Sequence, residues 1–220
     1  MDMKKFFTIL LCAAAIGIGA LKTDAIVEPR DPKNYAITDN LRKQYANSTK
    51  DINIIESLEL LKNTAGEYSR KAILGDNLTG KPIKIEFRNL AEVSPQYANF
   101  DALGWKKSNR LYIYINQKHF GAPKQALSAL LAHEAIHQDE FNSLNEETYA
   151  WTLEAAVWTQ LIEDNPEVAR VSHPLVERQN TIHKLFVKGG YTDEYIRKSV
   201  TSNAGYKNLP SRSPGFEDRL

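Results

Sequence analysis

Residues 125–138 constrain this chain more than any other stretch. Read as a helix, they are apolar on nearly every side except at His133, Glu134 and His137. A helix that is apolar all round is buried, so other elements must wrap it. The three polar side chains then need partners inside the molecule, because an unpaired buried polar group costs about 1–3 kcal/mol. With 220 residues, 42% of them hydrophobic, the chain is long enough to supply that wrapping as one domain.

The flanks indicate what does the wrapping. Asp51 is placed to cap a helix in which Ile54, Ile55, Leu58 and Leu61 recur at helical spacing, and after Gly66 a second short helical stretch reaches Leu74. Ile83, Ile85 and Phe87 then alternate with Lys84, Glu86 and Arg88, the pattern of a half-buried strand. Residues 100–105 and 110–115 predict two more strands, joined through Lys106, Lys107, Ser108 and Asn109. From Pro123, a residue suited to a first helical turn, the chain reads as helical. A helix from about 146 to 164 stops before Pro166, and further helices are expected around 174–187 and 193–200. The expected fold is α+β: a small, mainly antiparallel sheet, a buried helix and a helical C-terminal half. Residues 26–50 read as a linker or arm, 51–205 as the folded domain and 206–220 as a loose tail.

The first 25 residues differ in kind. Lys4 and Lys5 precede an apolar run from Phe6 to Ile18, and Ala20 and Ala25 offer small-residue cleavage points. This is the layout of a signal peptide, so a secreted or periplasmic protein without stable membrane insertion is expected. Cys12 follows Leu11 rather than a small residue, which argues against lipid attachment. Beyond residue 25 there is no cysteine and the basic and acidic residues balance, so neither disulfides nor a nucleic-acid-binding field is expected.

His133 and His137 lie four apart, one turn above the other on a helix, and both can reach one metal ion. Glu134 points to the side, where it can hold a water on that metal and take its proton. Zn2+ brings such a water near neutral pKa. This is why the spacing H-E-x-x-H reads as a zinc-dependent peptidase site, with a peptide or protein as substrate. A catalytic zinc needs a third protein ligand. Asp139 faces away from the histidines, and Glu140 is seven residues past His133, far along the axis. Ser143 to Glu146 fits a capping box in which Glu146 reaches back to the cap, leaving Glu147 to point at the histidines. Glu146 and Glu140 remain the alternatives.

His133-Glu134-Ala135-Ile136-His137, followed by a glutamate at the head of the next helix, resembles the gluzincin branch of the zincin metallopeptidases, including the small minigluzincins. Several such families carry the third ligand in an E-x-x-A pattern, which Glu147-Thr148-Tyr149-Ala150 matches. The resemblance, over roughly residues 100–160, implies a zincin-like fold with His133, His137 and Glu147 as zinc ligands and Glu134 as general base. It also implies a hairpin before the active-site helix whose edge strand pairs with substrate, where the Tyr112/Tyr114 strand is expected to lie. Two departures stand out. The connection from His137 to Glu147 is short, and Trp151 occupies a position where many relatives have an aspartate that orients a ligand histidine. Asn142 and Glu154 are the candidates for that orienting role. The metzincin continuation is absent, since Glu140 occupies its glycine position.

An oxyanion donor is also needed, and Tyr149, His173, His183, Tyr191 and Tyr195 are possible sources. His119 reads as a loop residue, Trp151 and Trp158 as a core stripe, and Lys106-Lys107 as a solvated hairpin tip. A zinc hydrolase acting on cell-wall peptides or amides, or a non-catalytic metal-containing binding module, are the competing functions.

Overall fold

A computed structural model describes residues 37–217. The expected signal peptide, and the arm as far as residue 36, lie outside the described residues. The remainder of the arm is not a linker. Thr38 caps α1 (Asp39–Tyr45), Tyr45 is fully buried with its hydroxyl donating to Glu59 Oε1 at 2.5 Å, and Ile85 N donates to Ser48 O at 2.9 Å. The polar composition hid a short segment tied down by one large aromatic and by backbone hydrogen bonds.

Asp51 caps α2 (Ile52–Glu59) by accepting from Ile54 N, and the apolar stripe Ile54, Ile55, Leu58 and Leu61 is buried as its spacing predicts. After α3 (Glu67–Leu74) the chain enters β1 (Lys84–Arg88), passes a short helix α4 (Leu90–Val93), and forms β2 (Ala102–Lys107) and β3 (Arg110–Asn116). Ser108 and Asn109 both take positive φ, 50° and 53°, the two-residue turn that matches strand twist. That turn makes β2 and β3 antiparallel, whereas β1 runs parallel to β3. The sheet is therefore mixed, in the order β1-β3-β2, and not mainly antiparallel. Residues 89–101 form a long crossover, so no tight turn dictates the direction of β1. A second correction follows: the Tyr112/Tyr114 strand, β3, is central, and β1 and β2 are the edges.

Against the sheet lies the buried helix, α5 (Lys124–Glu134), in which Ala126, Leu127, Ala129, Leu130, Leu131 and Ala132 are all at most 1% exposed. Burying each leucine stabilises the fold by about 1.5–3 kcal/mol. α5 stops at Glu134, four residues short of the extent read from the sequence. Ile136 N donates to His133 O and His137 N to Glu134 O, tightening the last turn, while buried Gln138 donates its side-chain amide to Ala135 O. His137 thus stands on a tight turn beyond the helix, still on the side of His133.

α6 (Leu144–Asp164) packs along α5, and α7 (Pro174–Lys188) and α8 (Glu194–Ser202) pack on α6. Buried along its length, α6 joins the main core through Leu153, Val157, Trp158 and Leu161. It joins a smaller core of Ile182, Phe186, Ile196 and Val200 through Ala155 and Ala156. From residue 206 to 217 the chain is not loose. Pro210 O and Ser211 O accept from Leu144 N and Asn145 N, and Phe216, in α9 (Pro214–Glu217), is 3% exposed. Among the described residues, no helix is long and apolar enough to cross a membrane.

Candidate metal centre

His133, His137 and Glu147 converge from three places: the last turn of α5, the turn after it and the first turn of α6. One ligand atom from each lies within 4.8 Å of the others, and the group could hold a metal ion. His133 Nε2 stands 3.8 Å from Glu147 Oε2, and His137 Nε2 stands 3.8 Å from Glu147 Oε1. These separations are too long for hydrogen bonds. They are close to the roughly 3.3–3.5 Å between ligand atoms of a tetrahedral N/O site. Glu147 Oε2 is buried with no hydrogen-bond partner, the orphaned acceptor that a cation would satisfy. Of the three glutamates considered from the sequence, Glu147 is the one that lies against the Nε2 atoms of both histidines. Glu140 is exposed and pairs with Lys106 Nζ at 2.7 Å.

Behind each histidine stands a carboxylate. His137 Nδ1 is 2.9 Å from Glu146 Oε1, and His133 Nδ1 is 3.0 Å from Glu154 Oε2. His137 Nδ1 is thereby hydrogen-bonded, whereas His133 Nδ1 lies at ion-pair distance from Glu154 without meeting hydrogen-bond geometry. Both Nε2 atoms turn toward Glu147, and a carboxylate behind a histidine is the arrangement that orients it for a metal. Glu146 does not reach back to the cap. Ser143 Oγ accepts from Glu146 N at 3.1 Å, as a cap should, but the Glu146 side chain serves His137 instead. Asn142 touches no histidine and donates to Glu147 Oε1 at 2.6 Å, so of the two candidates only Glu154 stands behind a ligand histidine, and Glu146 backs the other. Trp151 is half-buried rather than core, with Arg178 stacked over its ring and its Nε1 donating to the Tyr206 hydroxyl at 3.3 Å. Trp158 alone of the pair is fully buried.

Glu154 is fully buried and needs a counter-charge. Arg178 of α7 supplies it through two contacts, Nη1 to Oε1 and Nη2 to Oε2, the latter at 3.0 Å, and Gln179 donates to Oε1 at 2.6 Å. Arg178 Nε also meets Asp101 Oδ2 at 3.0 Å. His119, read from the sequence as a loop residue, is completely buried against Asp101 at 2.7 Å.

The electrostatics favour a cation. Burial would raise the Glu147 carboxyl, but His137 and His133, with Asn142 and Tyr206, hold it below its ordinary value. Burial would lower His137, yet its bond to Glu146 and the surrounding carboxylates raise it to about 9. Burial pushes the Glu134 carboxyl up; the two histidines oppose this, and Glu147 and Glu154 reinforce it. A metal ion would displace the proton from His137 and answer the crowd of acidic groups.

The centre opens on a cleft of about 540 Å³, into which Glu134 also faces. One wall is β2, from Ala102 to Lys106, with Phe100, Trp105 and Phe141 among the aromatic lining. Tyr206 and Leu209 also line the cleft. None of the five oxyanion candidates lines the cleft. Tyr149 packs on Phe216, His173 caps α7, His183 bonds to Thr159, Tyr191 packs on Phe186, and Tyr195 lies under Lys188 and Lys198. Tyr206 does line the cleft; burial and Glu147 raise its hydroxyl, so it stays protonated. Comparison with known proteins gives no match to a family model, to a curated protein or to a solved structure.

Proposed function

We propose that the protein is a zinc-dependent metallopeptidase of gluzincin type, exported through its N-terminal signal. One observation carries the reading. Two histidine Nε2 atoms and one carboxylate converge on a common point, each histidine backed by its own carboxylate, beside a glutamate that faces the same open cleft. The donor set of two histidines and a carboxylate suits Zn2+ with a position left open, as in catalytic rather than structural sites. The zincin-like arrangement rests on β2, an edge strand lying along the cleft next to the turn that bears His137. An extended peptide adding to that edge would pass the metal centre.

His133, His137 and Glu147 would hold the ion, which when bound supplies Lewis acidity to a water and a carbonyl in the cleft. Glu134 takes the proton of the attacking water and delivers it to the leaving nitrogen, a task suited to a carboxyl that burial has raised. Tyr206, protonated beside Glu147, donates to the oxygen on which charge develops. Trp151 Nε1 holds the Tyr206 hydroxyl in place.

Glu134→Gln tests the reading. It preserves size and polarity, so zinc content should stay at the wild-type level while hydrolysis of unfolded-protein substrates falls by roughly 10²–10⁴-fold. A variant that keeps its activity would remove Glu134 from the chemistry. Cleavage of cell-wall fragments but not of unfolded protein would move the substrate class without moving the mechanism.

A further inference from the structure

We infer that the C-terminal segment 210–216 belongs to the metal centre, with Ser213 as a positioning residue that fixes Glu146 and, through it, the ring of His137. This rests on reading His133, His137 and Glu147 as metal ligands. Nothing in the sequence of this segment suggests such a role, since its prolines and polar residues describe a tail. Its attachments do. Pro210 O and Ser211 O accept from Leu144 N at 2.9 Å and Asn145 N at 3.2 Å, satisfying two of the amides that every helix start leaves unpaired. The helix so anchored carries Glu146 and Glu147 in its first turn. Phe216 is buried against Tyr149, with ring centroids 5.4 Å apart. Gly215 lies so close to the turn after His137 that a Cβ there would stand 1.5 Å from Asp139 Oδ2.

Between these anchors Ser213, 2% exposed, directs its hydroxyl into the centre. Its Oγ is 3.3 Å from Ser143 Oγ and donates to Glu146 Oε2 at 3.0 Å. A hydroxyl has one proton to give, and the carboxylate is the stronger acceptor. Glu146 is then held at both oxygens: Oε1 by His137 Nδ1 and Oε2 by Ser213. Glu146 is fully buried, so without Ser213 its Oε2 would face a dry interior and the carboxylate could rotate away from the imidazole. A ligand histidine whose partner can swing loses orientation and affinity for metal.

The experiment is a zinc titration of the purified protein against a competing chromophoric chelator, comparing wild type with Ser213→Ala. Loss of a ligand histidine's own partner weakens metal binding by roughly 10–100-fold; Ser213→Ala keeps that partner and only loosens it, so a weakening of up to about 10-fold is expected here. The Co2+-loaded variant should show an altered visible absorption spectrum, a change that a loss of metal-free stability alone does not produce. Ser213→Ala that holds zinc as tightly as wild type, or an unchanged Co2+ spectrum with only a lower metal-free melting temperature, would overturn the inference and leave the metal centre standing. Wild-type protein that takes up no zinc would overturn the metal centre itself, and this inference with it.

Discussion

Gly104 marks how closely the edge strand approaches the metal centre. A Cβ at this position would sit 3.0 Å from His137 Cβ, tighter than ordinary van der Waals contact. Gly104→Val therefore has to move β2 outward or His137 aside. Overpacking of this kind costs about 1–3 kcal/mol. At roughly 2–4 °C per kcal/mol for a domain of this size, the melting temperature should fall by about 2–12 °C. Zinc affinity should fall with it, because one ligand is displaced; wild-type zinc affinity in Gly104→Val would show that the contact does not bear on the centre. The need for glycine here was not legible, because it depends on how two distant segments meet. His133, Glu134 and His137 were legible because four-residue spacing on a helix is a local fact. Glu147 was legible because the capping pattern at Ser143 fixed where the next helix begins. The same pattern misplaced Glu146, whose side chain found a buried imidazole in place of a backbone amide. Glu154 left a signal: seven residues past Glu147, it shares that helix face and so points toward the same histidines.

Helix α7 contributes a single cation to the centre, and its removal should be costly. Arg178 is the guanidinium that faces the buried Glu154, with Asp101 on its other side. Breaking a buried pair by removing one partner destabilises by about 3–5 kcal/mol, because the remaining charge is left uncompensated. Arg178→Met keeps the stem that packs near Trp151 and should lose stability of that order. The acid limb of the stability curve should change too. Burial would raise the Glu154 carboxyl, but Arg178 and His133 outweigh it and bring it to about 2. A carboxyl depressed in the folded state contributes stability that is complete above its unfolded value and is lost as pH falls through the folded one. In wild type that loss falls between roughly pH 4.5 and 2. Without Arg178 the folded value rises, so acid unfolding of the metal-free variant, followed by circular dichroism, should begin at higher pH; coincident acid transitions would refute this. At this scale α2, α3 and α5 to α8 were readable from apolar spacing and caps, whereas the short α1, α4 and α9 were not; β2 and β3 were readable from the strand patterns and the turn between them. The direction of β1 was not, since its partner lies beyond a crossover that carries no turn signal. The packing of 206–217 was equally hidden, because one buried phenylalanine and a few backbone hydrogen bonds hold it.

Across the whole molecule, the metal centre sits where otherwise separate parts meet. α5 brings the main core, α6 joins that core to the smaller one, β2 brings the sheet edge, and the C-terminal segment crosses the head of α6. An ion bound here would tie these parts together in the folded state only, since the unfolded chain cannot bring His133, His137 and Glu147 into register. Binding to the folded state alone stabilises by about 2.7 kcal/mol when the free ion is at 100 times its Kd and about 4.1 kcal/mol at 1,000 times. With roughly 2–4 °C per kcal/mol, chelation should lower the melting temperature by about 5–16 °C. Restoring zinc should recover it, and Glu147→Ala should melt at the same temperature with and without chelator. In the metal-free protein the acidic groups around the cleft keep His137 protonated up to about pH 9, so the recovery should need less zinc as pH rises from 6 toward 9. A melting temperature indifferent to both chelator and zinc would mean that the convergence of His133, His137 and Glu147 is a packing arrangement that holds no ion.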